Sequence, residues 1–566
     1  MSPSLVEDRK VTQAVSGVLL RSDDRETDYL SATFVDPGIT DRLANQNSQI
    51  LWGRRGTGKT HVFRVLEREL TKAKSQLGIY VDLEKLGSAG MYNDARPAGT
   101  RALHLFRDLM SVIANGLLDY ATRPETEAAG PLFDSQVAFA RAVSRTILSD
   151  ESLQHQRDAS NSRERSAGMT VSPLSGGFGF SGGGRSSSGE SESWTSAGRP
   201  EAYISFQEVN DTLSQVIHDG GLTRVYVFLD EWVAIPFEIQ PLVAEFIKRT
   251  LLAERRVTVK IAAIEYRSNL GERKEHNNVL GFELGADIGS GLELDDYFVY
   301  DRNADKTLAM FGRLLYGHIA AEVEAAEVER EVENQLPEGS EHMILEWIVK
   351  ETVSRLNSDH RYLTTAHGIA DPDSFLHEMF VKTDVFRELV RAGEGVVRDF
   401  INIFALAFLD AQRRDLCKID LDAVRTAAME WYERDKANNA TIEQREVLRR
   451  IVEEVIGQRR VRSFLLEKDF ERDDLIRSLF DFRLLHLLHR GFVDSRDVGR
   501  RYNIYAIDYG AYVELLGSTR APARDLSTDI QDSQSIVPFG DKRRMKRVVL
   551  DPKVLKAASP TAKHGA

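Results

Sequence analysis

Cysteine is almost absent: Cys417 is the only one, so no internal disulfide can form. That suits a chain folding under reducing conditions, although scarcity alone also suits an organism that uses little cysteine. Cys417 stands in Arg413-Arg414-Asp415-Leu416-Cys417-Lys418 with nothing beside it to serve as base or metal co-ligand, so an incidental or structural role is expected. No apolar run approaches the length that spans a bilayer. The opening Met-Ser-Pro-Ser-Leu-Val-Glu-Asp has no basic region followed by an apolar stretch, so no secretory signal is read. The expected location is cytoplasmic, with no membrane partner. Excess positive charge is missing too. The formal net charge is −13, whereas a protein that coats nucleic acid non-specifically is usually basic. Any DNA contact must come from a local surface.

The 566 residues exceed what one hydrophobic core supports, and the composition is that of ordinary globular domains. Ser48–Trp52 reads as a short strand running into a Gly-rich loop. Val62–Lys74 follows with helical period, Val62, Val65, Leu66 and Leu70 on one face. Leu77–Leu83 reads as a buried strand and Ala102–Tyr120 as an amphipathic helix. Strand, loop, helix and strand begin an α/β unit with a parallel sheet. Residues 155–200 break the pattern with a Gly/Ser-rich stretch, read as a flexible insertion. Its Phe178 and Phe180 leave open a loop that orders on a partner. The sheet resumes at Arg224–Asp230. Phe237–Leu252 is predicted helical, Val257–Ile264 a strand and Tyr297–Tyr300 a weaker strand. These readings give a core over 1–304, a helical lid over 305–438, a further domain over 439–517 and a basic flexible tail over 518–566.

The chemistry concentrates in Gly53-Arg54-Arg55-Gly56-Thr57-Gly58-Lys59-Thr60, a G-x-x-x-x-G-K-[ST] loop. Glycines at 53, 56 and 58 permit backbone conformations closed to residues with a Cβ, so amides can point inward. Those amides and the positive end of the following helix hold phosphates. Lys59 adds a charge at the β- and γ-phosphates, and Thr60 a hydroxyl ligand for Mg²⁺. The nucleotide-contacting segment is taken as Gly53 through His61. His61 itself starts the helix outward and is assigned no chemistry. Val225-Tyr-Val-Phe-Leu-Asp230-Glu231 is an apolar strand ending in two acids: Asp230 to hold Mg²⁺ through water, Glu231 to polarise the attacking water. Arg267, just past the Val257–Ile264 strand, is the chosen phosphate sensor, with Glu265 and Tyr266 as alternatives. Arg398 opens an apolar helix after Gly395 and can reach over a nucleotide from the lid. The cofactors expected are ATP and Mg²⁺.

Loop, Asp-Glu strand, polar strand end and Gly395-Val-Val-Arg398, in that order, resemble the AAA+ ATPases, specifically the origin-recognition and archaeal replication-initiator branch. The Gly-Arg-Arg-Gly-Thr-Gly-Lys-Thr loop is also similar to bacterial ATPases of this branch linked to defence or mobile elements. The resemblance covers about residues 25–515. It implies that Arg398 is the second sensor, and that the Glu265–Ser268 strand end, where the family carries Asn, Thr or Ser, holds the first. It also implies a P-loop NTPase core with a helical lid and a C-terminal winged helix. Independently of the resemblance, Ile442–Ile456 reads as a helix, Arg462–Leu466 as a strand and Asp474–Arg490 as a helix capped by Gly491. A hairpin follows, through Phe492-Val493 and Arg501–Ile507, with Arg496, Arg500 and Arg501 at its tip. The leading expectation is an ATP-hydrolysing, nucleotide-controlled switch that binds double-stranded DNA through the winged helix and the Lys542–Arg547 cluster. The alternatives are a STAND-like signalling ATPase that forms a homo-oligomer and uses the winged helix internally, or a regulatory ATPase subunit driving a partner effector; the winged helix itself has a protein–protein module as its alternative to DNA contact. An arginine finger would come from a neighbouring subunit, with Arg302 and Arg313 as candidates.

Overall fold

The computed structural model describes residues 3–18, 27–73, 75–87, 96–123, 130–144, 168–171, 178–180, 202–274, 278–298, 303–333, 341–356, 361–458, 462–493, 499–514 and 549–551. The chain divides into two compact units. One comprises Ile39–Gly53 and Val62–Glu293, the other Met1–Gly38, Arg54–His61 and Leu294–Ala566.

The first unit is a parallel-sheet α/β core. Its five strands are β1 (Gln49–Trp52), β2 (Gln76–Asp82), β6 (Arg224–Asp230), β7 (Val257–Ala263) and β10 (Gly289–Glu293), in the order β10-β1-β7-β6-β2. Every neighbouring pair is parallel. The central strands read as unbroken apolar runs because both faces are covered. Along β6, Val225, Val227 and Leu229 join the large core built with helices Ala98–Ala121, Phe206–Asp219 and Gln240–Arg249. The intervening Phe228 turns the other way and meets Phe63 at a ring distance of 5.2 Å. Phe63 belongs to the helix Lys59–Thr71, which approaches the sheet so closely that a Cβ on Gly78 of β2 would lie 2.8 Å from the Glu67 carbonyl oxygen.

Three expectations about this unit change. The edge strand β10 was not foreseen: Gly289, Ser290 and Gly291 hide it, and a Cβ at Gly291 would collide with the Trp52 ring. In the Gly/Ser-rich stretch, Gly168–Val171 (β3) and Phe178–Phe180 (β4) are strands where no regular structure was expected. They form an antiparallel sheet with β5 (Ala202–Ser205) in the order β4-β3-β5. The β-favouring Met169, Val171, Phe178 and Phe180 supply the propensity that the surrounding Gly and Ser mask; the rest of the stretch lies outside the described residues. The helix expected over Phe237–Leu252 is shorter, Gln240–Arg249, with a proline in its first turn. A short hairpin of β8 (Gly271–Arg273) and β9 (Val279–Gly281) completes the unit.

The second unit is mainly helical. Its aromatic core joins the long helix Ala304–Glu333 to Val397–Arg413 through Phe311 and Phe400, whose ring centroids lie 4.5 Å apart. The Tyr297–Tyr300 strand is not formed: Asp295–Phe298 is a helical turn, and residues 299 and 300 lie outside the described region. Toward the C-terminus, β11 (Ser463–Glu467), β12 (Leu485–Val493) and β13 (Arg501–Ile507) make an antiparallel sheet in the order β11-β13-β12, accompanied by helices Ile442–Val452 and Asp474–Asp481.

The helix expected over Asp474–Arg490 therefore stops nine residues early. Arg483 takes a left-handed backbone, φ 59°. The amides of Arg483 and Leu484 close back onto the carbonyls of Phe480 and Leu479, a Schellman ending with arginine where glycine is usual. The residues beyond Arg483 pass into β12, and Gly491 (φ 65°) is not a helix cap but a bulge within that strand, its amide donating to Asn503. The expected turn at Asp494–Gly499, with Arg496, falls largely outside the described residues, as do Arg302 and the Lys542–Arg547 cluster. Within the expected tail, Val549 bridges Leu465 of β11 and Leu550 is buried, so this part docks on the sheet edge.

Gly78→Ala tests the helix–sheet contact. Both colliding groups are backbone, so stability should fall by about 1–3 kcal/mol, read from the shift of the urea midpoint; an unchanged midpoint would mean that the helix can retreat.

Candidate functional site

The carboxyl edge of the parallel sheet gathers Gly53, Asp230, Glu231 and Arg267. Trp52, the last residue of β1, pairs with Ala263 of β7, and Leu229 of β6 pairs with Ile261. Gly53 donates its amide to the Ala263 carbonyl at 3.2 Å, extending the strand by one residue. It does not adopt a left-handed conformation, so its expected role as a permissive glycine is corrected: it delivers the chain to the loop as a continuation of the sheet.

Asp230 is fully buried at the end of β6. One carboxylate oxygen accepts from the Tyr80 hydroxyl at 2.8 Å, the other from the Glu231 amide at 2.9 Å. Tyr80 projects from the neighbouring β2, two residues before Asp82, which pairs with Asp230 itself. The Arg64 guanidinium lies 3.6 Å from the Tyr80 ring centre. Burial and the adjacent Asp230 push the phenol well above its ordinary pKa, so it stays a donor. Tyr80 was missed by the sequence reading; an apolar strand with one tyrosine gives no signal until the strands are paired. Glu231 is held at φ 53°, ψ 48°, where the fully buried Trp232 anchors the following turn. Left-handed glutamate is uncommon and clusters at functional positions. Arg267 is half-buried at the end of a single 3-10 turn, Glu265–Arg267, directly after β7.

The loop residues Arg54–His61 group with the second unit. Gly56 (φ 83°) and Gly58 (φ 95°) occupy the left-handed region that glycine permits. A Cβ at Gly58 would meet nothing within 4 Å, which leaves the loop concavity open on that side. Lys59 donates to the Arg54 carbonyl at 3.1 Å, and the buried Thr57 hydroxyl donates to the same oxygen at 2.9 Å. Arg398 sits on the loop: its amide donates to the Gly56 carbonyl at 3.0 Å, and a Cβ on Gly56 would run into the Arg398 side chain. Donors, concavity and helix start fit a phosphate, and the hydroxyl of Thr60 and the carboxylate of Asp230 are oxygen donors of the kind Mg²⁺ takes.

Two loop residues behave differently from expectation. Arg54 is buried, and its polar groups are taken up by protein partners. Its amide and Nε donate to Asp295, Nη1 lies 2.8 Å from His486 Nδ1, and Nη2 donates to the Glu394 carbonyl. Arg55 is exposed. His61 does not point outward: its ring lies 2.6 Å from the Leu30 carbonyl and 5.2 Å from the Phe34 ring, and burial lowers its pKa. Arg313, a finger candidate, is exposed on the helix Ala304–Glu333.

Residues 23–109 match the ORC-CDC6-like family model. This segment includes the loop and β2, and leaves the acid pair, the helix Val397–Arg413 and the C-terminal sheet outside it. No curated protein matches the sequence. Among solved structures, the chain is similar to the Aeropyrum pernix ORC1 protein in complex with DNA, at 13% identity and TM-score 0.28, covering 88% of this chain and 94% of that one. It is also similar to the Aeropyrum pernix ORC2 protein in ADPNP-ADP complexes, at 10% identity and TM-score 0.28, covering 83% and 89%. Drosophila ORC bound to DNA gives 10% identity and TM-score 0.25, covering 87% and 92%. TM-scores this low carry no functional argument. Among the described residues no helix is long and apolar enough to cross a membrane, and no cluster of His, Cys, Asp and Glu forms a metal site.

Two histidines, His486 buried and His61 half-buried, set a pH dependence. Burial holds the His486 imidazole down at about 3, and the neighbouring Arg54 charge adds to this, while its contact with Asp508 acts the other way. His61 is lowered by burial. Both are neutral when folded, whereas the unfolded chain binds protons below about pH 6.5. Their contribution is fully present above that pH and is lost as pH falls toward the folded values. For His486 stability should drop by up to about 1.4 kcal/mol per pH unit between pH 6 and 5, and His61 adds in the same direction. Urea midpoints across that range read the slope, and His486→Gln should make it shallower; a flat wild-type profile would contradict the assignment.

Proposed function

We propose that this chain binds and hydrolyses ATP with Mg²⁺ at the Gly53–Thr60 loop and uses the bound nucleotide to control contact with double-stranded DNA. The observation carrying the ATP reading is the loop itself. Two left-handed glycines flank Thr57, with open space at Gly58 and Arg398 against Gly56, and a lysine and a threonine begin the helix behind them. Inward amides and a helix start bind phosphate whatever the rest of the fold. The ORC-CDC6-like match over residues 23–109 supports the same reading.

Mg²⁺, held by Thr60 and through water by Asp230, would neutralise phosphate charge. The protein's own groups do the remaining work. Tyr80 and the Glu231 amide hold the two oxygens of the Asp230 carboxylate in place. Glu231 orients and polarises the attacking water, its direction set by the left-handed turn. Lys59 exchanges the Arg54 carbonyl for phosphate oxygens. Arg398, packed on Gly56 from the helix Val397–Arg413, reports on the loop's occupant from the lid, and Arg267 is the corresponding strand-end sensor. As for DNA, helix, strand, helix and hairpin over residues 442–507 follow the order of a winged helix, and Arg500 and Arg501 are exposed where the β12–β13 connection returns to the sheet. Such arginines position a protein on phosphate backbone without specifying sequence.

Lys59→Ala should weaken ATP binding about 100-fold, the scale of losing charge-assisted contacts worth about 3 kcal/mol. Glu231→Gln should keep ATP bound and slow its cleavage by about 10²-fold or more. Binding of a fluorescent ATP analogue and single-turnover phosphate release check both; full turnover in the glutamine variant would remove Glu231 from the mechanism. Duplex binding measured with and without ATP across a salt series tests the DNA role. Affinity should fall steeply with salt and respond to ATP; no binding at low salt would eliminate that role.

A further inference from the structure

Arg54 connects the loop to residues far along the chain. Its carbonyl accepts from Lys59 and Thr57, while its guanidinium reaches His486 at the start of β12. Arginine can only donate, so His486 Nδ1 is the acceptor, and the ring proton sits on Nε2. That nitrogen lies 2.9 Å from Asp508, at the end of β13. Asp508 also binds Lys436 at 2.5 Å, and Lys436 bridges on to Asp399 at 3.1 Å. Asp399 in turn pairs with Arg483, the left-handed residue that ends the helix before β12. Lys436 lies in a π-helical stretch, Tyr432–Ala437, a local irregularity often found at functional positions.

Every member from Arg54 to Arg483 is buried. Breaking one link would strand a charge away from water, which is strongly unfavourable. The members therefore rearrange together. The chain also ends where it began: Asp399 is adjacent to Arg398, whose amide holds the Gly56 carbonyl. Thus the first turn of the helix Val397–Arg413 touches the loop through one residue and the buried chain through the next.

We propose that the buried chain Arg54–His486–Asp508–Lys436–Asp399 is a positioning device that couples the occupancy of the phosphate-binding loop to the C-terminal sheet β11–β13. The proposal rests on the ATP reading above. Phosphate arriving in the loop competes for Lys59 and withdraws a donor from the Arg54 carbonyl. The resulting shift of Arg54 is passed through His486 and Asp508 into the ends of β12 and β13.

The test uses the full chain and two measurements: binding of a fluorescent ATP analogue, and hydrogen exchange of peptides covering residues 463–467 and 501–507 with and without ATP and Mg²⁺. In the wild type, ATP should change exchange in these strands by about fivefold or more, the lower end of ordinary coupling. His486→Met, which cannot bridge Arg54 and Asp508, should bind the analogue yet lose the ATP-dependent change. His486→Gln, which supplies one acceptor and one donor, should retain it. If His486→Met does not fold, Asp508→Asn takes its place, since Lys436 keeps Asp399. ATP binding with no exchange change in the wild type, or with an equal change in the disrupted variant, overturns the coupling alone. Absence of ATP binding by the wild type overturns the ATP reading and the coupling with it.

Discussion

A guanidinium buried in a protein interior must have acceptors, and Arg54 stands in the Gly-rich loop Gly53–Thr60 with its side chain buried. It cannot be deprotonated to escape the requirement. The chain meets it with a carboxylate from Asp295, a carbonyl from Glu394 and an imidazole nitrogen from His486. Three separate segments are thereby tied to one loop residue. Those partners bring obligations of their own: His486 needs an acceptor for its remaining N–H, which Asp508 supplies, and Asp508 needs a cation, which Lys436 supplies. The buried chain from Arg54 to Lys436 is the propagation of one arginine's demand.

The same logic fixes ionisation. Burial alone would raise the Asp399 and Asp508 carboxyls, but the cations beside them prevail and hold both below the usual range. His486 stays neutral and so can accept on one side and donate on the other. A protonated ring would have nothing to offer Arg54. Charges of alternating sign with one neutral relay make an arrangement in which each group has a single workable protonation state, and that uniqueness is what allows a buried network to specify one geometry.

In the α/β unit the organising constraint is different. Parallel pairing levels the carboxyl ends of β1, β7, β6 and β2, so residues one or two beyond the strand ends share an edge whatever their separation in sequence. Asp230, Glu231 and Gly53 reach that edge through strand register, and Arg267 through the 3-10 turn that follows β7. Tyr80 reaches it because β2 is the neighbour of β6, a pairing that joins segments about 150 residues apart.

Local chemistry made much of this legible in advance. Gly56, Gly58, Lys59 and Thr60 stand at the spacing of a G-x-x-x-x-G-K-[ST] loop, so local sequence alone singled them out, and Gly56 and Gly58 do take left-handed backbones. Apolar runs ending in acid marked β6 to the residue, and continuous hydrophobicity marked β2 and β7, because burial on both faces leaves a signature in composition. What the sequence could not carry was anything set by a distant partner. Arg483 ends a helix that periodicity would have continued, because its left-handed backbone and its ion pairs with Asp399 and Asp435 outweigh local propensity. Arg54 reads as one more cation near a phosphate, and only folding shows it turned inward. His61 looks like a helix residue facing solvent until Leu30 and Phe34 are placed against it. The sequence by itself determined the residues whose role follows from their immediate neighbours; the tertiary structure alone decided those whose charge or hydrogen-bonding capacity is satisfied across hundreds of residues.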